Sequence, residues 1–295
     1  MSAVVFESVS KRFGTKVALD DVSFSLPEAK ITGLLGPNGS GKTTALRLIL
    51  NLFHADAGTV SVFGSCPSEQ SSDLVGYLPE ERGLYRKMTV IEVLRYYARL
   101  KGKQPSLDAL RHWLKVLKIE EFEGRKIQGL SKGTAQKVQF ITTVLHDPHL
   151  LILDEPFSGL DPLSREHLQT ALLTVVGRGI SVILSTHDMT VAENLCDHFL
   201  MLSSGSKVLD ASRQDITTKF GASTVKVQAA LPLTGLEHIE GVSKVIDFGN
   251  YHELVIEQEC DTNAILHSLA VQAQLVRFEL SRPSLHDIFL RLAHE

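Results

Sequence analysis

The run Gly36-Pro37-Asn38-Gly39-Ser40-Gly41-Lys42-Thr43-Thr44 narrows the possible folds more than any other stretch of the chain. It fits the pattern G-x-x-x-x-G-K-[ST], in which a glycine-rich loop leads from a strand into a helix. The flanks agree. Ile31 to Leu35 is a short apolar run of strand character, and Thr43 to Leu52 sets Ala45, Leu46, Ile49 and Leu50 on one helical side. Glycines let successive backbone N–H groups converge on a polyphosphate, and the helix N-terminus adds the positive end of its dipole. In that arrangement Lys42 reaches the outer phosphates and the Thr43 hydroxyl is a ligand for Mg²⁺.

The second informative run is HLLILDEP, His149 to Pro156. An apolar strand ends in Asp154, which can hold Mg²⁺ directly or through water. Glu155 follows, placed to orient or deprotonate an attacking water. Phosphoryl transfer needs positioning and charge neutralisation more than covalent chemistry, and a lysine, a hydroxyl, a metal and two carboxylates supply both.

Around these runs the chain alternates strand-like and helical patterns. Val4 to Val9, Asp21 to Leu26, Gly58 to Phe63 and Leu74 to Leu78 read as strands near the start. Thr89 with Glu92 three residues on is a capping box that opens a helix through Leu100. Ser106 to Leu117 and Ser131 to Leu145 read as two more helices, so residues 84–146 form a helical subdomain inserted into an α/β core. Leu150 to Leu153, a helix from Pro162 to Val176, Ile180 to Leu184 and a helix from Thr190 to Cys196 resume the core as a largely parallel sheet. From Gly221 onward 10 acidic residues stand against 5 basic. Strands at Thr224 to Ala229 and Gln274 to Leu280, a hairpin at Gly249-Asn250, and helices at Thr262 to Ala270 and from Ser284 give a small α+β domain. The domain boundary is expected at 220/221.

A net charge of -4 gives no overall basic field, so a nucleic-acid partner is not expected. Cys66, Cys196 and Cys260 match no zinc or redox spacing, which favours a reducing cytoplasm. No run approaches the roughly 18 apolar residues that cross a bilayer, so any action on a membrane requires a partner.

Four further segments complete an ordered series: LSKGTAQK (Leu130 to Lys137), SGLDP (Ser158 to Pro162), STHD containing His187, and an N-terminal aromatic, Phe13. With the two runs above, they make residues 1–220 resemble the nucleotide-binding subunit of ABC transporters. The resemblance implies an α/β P-loop NTPase core with an N-terminal antiparallel β subdomain and the helical insertion. It also implies ATP and Mg²⁺ as ligands. By the same resemblance Phe13 stacks on adenine, His187 contacts the γ-phosphate, and Glu155 is the catalytic base. Ser131, Lys132 and Gly133 reach the phosphate held by an opposite copy, and Asp161 lies across that dimer interface. Two copies would close head-to-tail on two ATP molecules and move two integral membrane permease subunits from the cytoplasmic side of the membrane. Gly76 to Gly102 and the ending Ser284 to Leu292 are similar to the ATPases of multidrug, antibiotic and sodium exporters. Two positions depart from the family pattern. Glu80 replaces the usual glutamine on the metal side, and Lys132 replaces a common glycine of the signature. The alternative is a soluble ABC-type ATPase acting on ribosomes or nucleic acid. Such proteins typically carry two nucleotide domains or a coiled-coil insertion, and neither is visible here.

Overall fold

The computed structural model describes residues 2–68, 73–81, 83–220, 224–257 and 260–281, together with Leu285 and Ile288. The chain divides into two compact units, Met1–Asp210 and Ala211–Glu295.

In chain order the first unit contains β1 (Ser2–Phe13), β2 (Lys16–Pro27), β3 (Ile31–Leu35), α1 (Lys42–Ile49), β4 (Ala57–Val62) and β5 (Val75–Leu78). There follow α2 (Val90–Leu100), α3 (Leu107–Val116), α4 (Lys132–Val144), β6 (Leu150–Asp154) and α5 (Pro162–Val176). The unit closes with β7 (Ser181–Thr186), α6 (Met189–Leu195), β8 (His198–Ser203) and β9 (Ser206–Ser212), whose last two residues lie past the division. Two sheets result. The antiparallel one has the order β2-β1-β4, with Phe6 opposite Phe24 and their rings stacked 4.3 Å apart. The other has six strands in the order β5-β6-β7-β3-β8-β9. From β5 to β8 every pairing in it is parallel.

Every residue of β3, β6 and β7 is buried, as expected for parallel strands covered on both faces. One apolar cluster joins Phe6, Leu19 and Leu26 of the antiparallel sheet, Leu46 and Ile49 of α1, and Ile152, Ile183 and Leu200 of the parallel sheet. The core therefore grips the helix that starts at the glycine loop from both sides. The insertion between β5 and β6 carries α2, α3 and α4. Its first helix has the expected capping box, with Glu92 Oε2 accepting from Thr89 N–H at 2.7 Å.

Register fixes what lies at the sheet's edge. Leu35 pairs with Thr186, Asp154 with Ser185, and Leu78 with Leu153. Because these strands run the same way, the segments leaving β3, β5, β6 and β7 emerge along one edge, where open α/β sheets place ligands.

The second unit comprises α7 (Arg213–Phe220), β10 (Thr224–Ala229), β11 (Val242–Asp247), β12 (His252–Ile256), α8 (Thr262–Gln272) and β13 (Leu275–Ser281). Its antiparallel sheet has the order β11-β12-β10-β13. Val225, Val227, Leu254 and Ile256 pack against Ile265 and Leu269 of α8. The hairpin turns at Gly249-Asn250, where Gly249 has φ +81° and Asp247 accepts its N–H at 2.7 Å. The helix expected from Ser284 and the segment Ser284 to Leu292 lie largely outside the described residues. The division at Asp210/Ala211, rather than 220/221, assigns α7 to this unit. The acid excess that suggested the later boundary begins only after α7.

Candidate functional site

The glycine loop follows β3 as expected. Gly36 and Gly41 have φ of +140° and +110°. A Cβ on Gly36 would fall 2.2 Å from Leu202 O, and one on Gly41 would fall 2.6 Å from Ala18 O. Neither position admits a side chain. Gly41 caps α1 without any side-chain bond, which leaves the helix N-terminus open to an anion. Phe13, Lys16, Ala18, Asn38, Gly39, Gly41, Lys42, Thr43 and Thr44 line a cavity of about 180 Å³ over that end. Phe13 is 44% exposed and meets Phe53 edge-on at 5.2 Å, so one face is available for stacking.

Lys42 is buried, and its ammonium donates to Gly36 O at 2.8 Å and Pro37 O at 3.1 Å. Burial lowers its pKa, while Glu155, Asp154 and Glu80 oppose that shift. The Ser40 hydroxyl is buried without a hydrogen-bond partner. A buried polar atom left unpaired beside an open helix end fits a loop shaped for phosphate oxygens.

At the end of β6, Asp154 is 5% exposed. Desolvation raises its pKa, and the charges of Glu80 and Glu155 add to the rise. Lys42 works against it. This excess of negative charge fits a divalent cation. Mg²⁺ keeps much of its water shell and takes phosphate oxygens, so one or two carboxylates suffice. Among the described residues, no group of three His, Cys, Asp or Glu side chains could hold a metal by itself.

Glu155 has φ +48°, a left-handed conformation uncommon for a residue with a side chain. Its N–H donates to Ser185 O at 2.9 Å. Its carboxylate accepts from His187 N–H at 3.0 Å, Thr186 Oγ1 at 3.3 Å and His187 Nδ1 at 2.6 Å. Since the carboxylate only accepts, the proton lies on Nδ1, and Nε2 of the largely exposed imidazole is free to meet a ligand. Sequence patterns alone gave no signal for Lys16 in the cavity or for the grip of Thr186 on Glu155.

Ser131, Lys132, Gly133 and Asp161 form a second cluster, where the N-termini of α4 and α5 lie side by side. Ser131 caps α4 by accepting from Thr134 N–H at 3.1 Å. Asp161 caps α5 by accepting from Ser164 N–H at 2.9 Å, and this bond holds its carboxyl below the usual range. A Cβ on Gly133 would fall 2.6 Å from Ser164 Oγ, so the close approach requires glycine. The Lys132 ammonium rests on the Gly159 turn, in the space a Cβ there would take. Two helix N-termini and a lysine face one carboxylate, which makes the corner attractive to an outside anion.

A phosphate loop and an acidic strand at one edge of a parallel sheet define a P-loop NTPase. Residues 19–158 match the family profile described as ABC transporter, and residues 212–293 match one described as ATP-binding protein DrrA1-3-like, C-terminal domain. The chain is 40% identical over 289 residues to "Uncharacterized ABC transporter ATP-binding protein YhaQ" of Bacillus subtilis, which covers 97% of both chains. It is 32% identical over 299 residues to "Nod factor export ATP-binding protein I" of Burkholderia lata, covering 99% of this chain and 97% of that one. A solved "ATP binding subunit of ABC transporter" superposes with a TM-score of 0.69 at 30% identity, covering 75% of this chain and 94% of that one. The chain therefore belongs to the ATP-binding subunits of ABC transporters, a family of ATPases. No helix among the described residues is long and apolar enough to cross a membrane.

Proposed function

We propose that two copies of this chain close head-to-tail on two ATP molecules, hydrolyse them, and drive export through two separate integral membrane subunits at the cytoplasmic face. The observation that carries the hydrolytic part is Glu155, held in a left-handed conformation at the end of β6 by bonds from His187 and Thr186. A carboxylate fixed this firmly, beside a buried lysine, is suited to orient a water in line with a γ-phosphate and to take its proton.

In this reading Gly36 to Thr44 wraps the phosphates, Lys42 leaves its loop carbonyls for the β- and γ-oxygens, and Phe13 stacks on the adenine. His187 turns Nε2 toward the γ-phosphate. Thr43 and Asp154, with Glu80 near them, would hold Mg²⁺, which would supply charge neutralisation on the phosphates. Ser131, Lys132 and Gly133 of the opposite copy complete each site, and Asp161 lies at the seam. The positive corner built by α4 and α5 supports the head-to-tail arrangement, because nothing in its own chain uses that charge for catalysis. The first unit is then the ATPase domain, with helical subdomain 84–146, and residues 211–295 are an accessory domain. Export is favoured by the full-length likeness to a Nod factor export protein.

The test contrasts two variants at the same Mg²⁺ concentration. Glu155→Gln should bind Mg·ATP at least as well as the parent and lose about a hundredfold or more in single-turnover hydrolysis. Lys42→Ala should weaken binding itself. Near-parental hydrolysis by Glu155→Gln would remove the catalytic assignment.

A further inference from the structure

The corner where α4 meets α5 contains a buried cation that the reaction as described does not use. Lys137, in the second turn of α4, is only 5% exposed, and its ammonium lies 2.8 Å from His167 Nδ1 on α5. An ammonium has donors only, so Nδ1 is the acceptor and the imidazole proton sits on Nε2. The bond thus exists only with a neutral ring. An imidazolium would set two cations at hydrogen-bond distance in a half-buried place.

The charged groups around the pair are Asp161 at the start of α5, Glu166 beside His167, and Lys118 and Glu121 in the turn after α3. Asp161 is already engaged as the α5 cap. Burial first, and Lys137 second, lower the pKa of His167, while Glu166 and Asp161 oppose them. Two contacts lie one turn nearer the helix starts: Lys132 on Gly159, and Gly133 against Ser164. The Lys137–His167 bond is the next tie along the same seam, and it sets how far apart Gly133 and Asp161 can drift.

We infer that Lys137 is a positioning residue: bonded to neutral His167, it fixes the start of α5 and its Asp161 cap against the Ser131–Gly133 turn, so that both meet a partner's triphosphate in register. The inference rests on the head-to-tail reading, since this spacing matters to chemistry only if the corner faces an opposite nucleotide. Protonation of His167 releases the tie, so ATP-driven pairing acquires an acid limb that belongs to this contact.

The experiment follows ATP-driven dimer affinity by light scattering in the Glu155→Gln background, with Mg·ATP, from pH 8 to pH 5.5. A Gln at 167 offers an amide oxygen that accepts from the ammonium without titrating. The ratio of dimer affinity, His167→Gln over unchanged His167, should be about 1 at pH 8 and rise to about fivefold at pH 5.5 as the imidazolium form fills. His187 is present in both proteins, so whatever it contributes cancels from the ratio. In a Lys137→Met background the ratio should stay flat, and Mg·ADP affinity of each monomer reports that the chain remains folded. A ratio flat with pH when Lys137 is present overturns the inference, as does a pH-dependent ratio that survives Lys137→Met. A chain that stays monomeric at saturating ATP overturns the head-to-tail reading as well, whereas a clear ATP-dependent dimer with a flat ratio overturns the positioning alone.

Discussion

Asp154 and Glu155 are adjacent carboxylates whose environments differ, and the difference divides their roles. Asp154 is desolvated between other acids, and its pKa is raised. Glu155, on a left-handed backbone, accepts three bonds. The sign of the Asp154 shift sets a stability prediction. A folded-state pKa above the unfolded value means that the native chain holds the proton more tightly. The associated stability is full below the unfolded pKa, near 3.8, and is lost as pH rises through the raised folded value. At neutral pH the ionised group therefore opposes folding of the nucleotide-free chain. Asp154→Asn should raise its Tm by a few degrees, the scale on which about 1 kcal/mol moves a domain of this size, and the gain should vanish at low pH. Calorimetry at pH 7 and pH 4 reads this directly, and Mg·ATP should then stabilise the variant less than the parent. Glu80→Gln tests the neighbouring position. Substantial ATPase activity should remain, with an altered Mg²⁺ dependence, and complete loss with binding intact would move the base assignment to Glu80. At this scale the sequence was most readable where backbone needs dictate residue type. Glycines at 36 and 41 announce positions where Cβ cannot fit, and the acidic pair announces itself after an apolar strand. The grip of Thr186 on Glu155 was not readable, because it depends on β6 and β7 being neighbours in register.

Elements with strong local signals formed where the pattern put them. Ser106 caps α3, accepting from Ala109 N–H at 3.1 Å, and the helix buries Leu110, Trp113 and Leu114. Replacing Ser106 with Ala should cost about 1 kcal/mol, seen as an earlier urea midpoint with little change in slope. Thr89 and Glu92 mark the start of α2 in the same legible way. By contrast, β8 and β9 carried no reading at all. Phe199 to Leu202 is a short apolar run, and in β9 Leu209 is the one buried position, the rest being half-buried or exposed. An edge strand with one buried side chain has no alternation to detect, and the turn between them depends on Ser204 and Gly205 at φ +48° and +84°. Without β9, the sequence marks a boundary only at the change of charge beyond α7, whereas the division into compact units falls at Asp210/Ala211.

The division of the whole molecule yields a prediction that depends on where β9 ends. Every side chain proposed to meet the phosphates or adenine, from Phe13 to His187, belongs to the first unit, and the cluster of Ser131 to Gly133 with Asp161 does too. A chain ending at Ser212 keeps β9 whole beside β8 at the edge of the six-stranded sheet. Ending it at Asp210 would shorten that strand, and ending it at Phe220 would retain α7, which is grouped with the second unit. Ser212 also accepts from Asp215 N–H at 3.1 Å, so the cut falls at the cap of α7 and not within a strand. The chain 1–212 should therefore fold and bind Mg·ATP within a few-fold of the full protein, while chains cut inside β9 should lose stability first and affinity with it. The separately expressed residues 211–295 should bind no nucleotide, since their own core of Val225, Val227, Leu254 and Ile256 against α8 includes no phosphate loop. Titration of both pieces and of a chain ending at Asp210 with a fluorescent ATP analogue, alongside thermal melts, reads all three expectations. A folded 1–212 chain with affinity reduced a hundredfold, about 2.7 kcal/mol, would mean that the second unit contributes to nucleotide binding, and the accessory role proposed for it would be wrong.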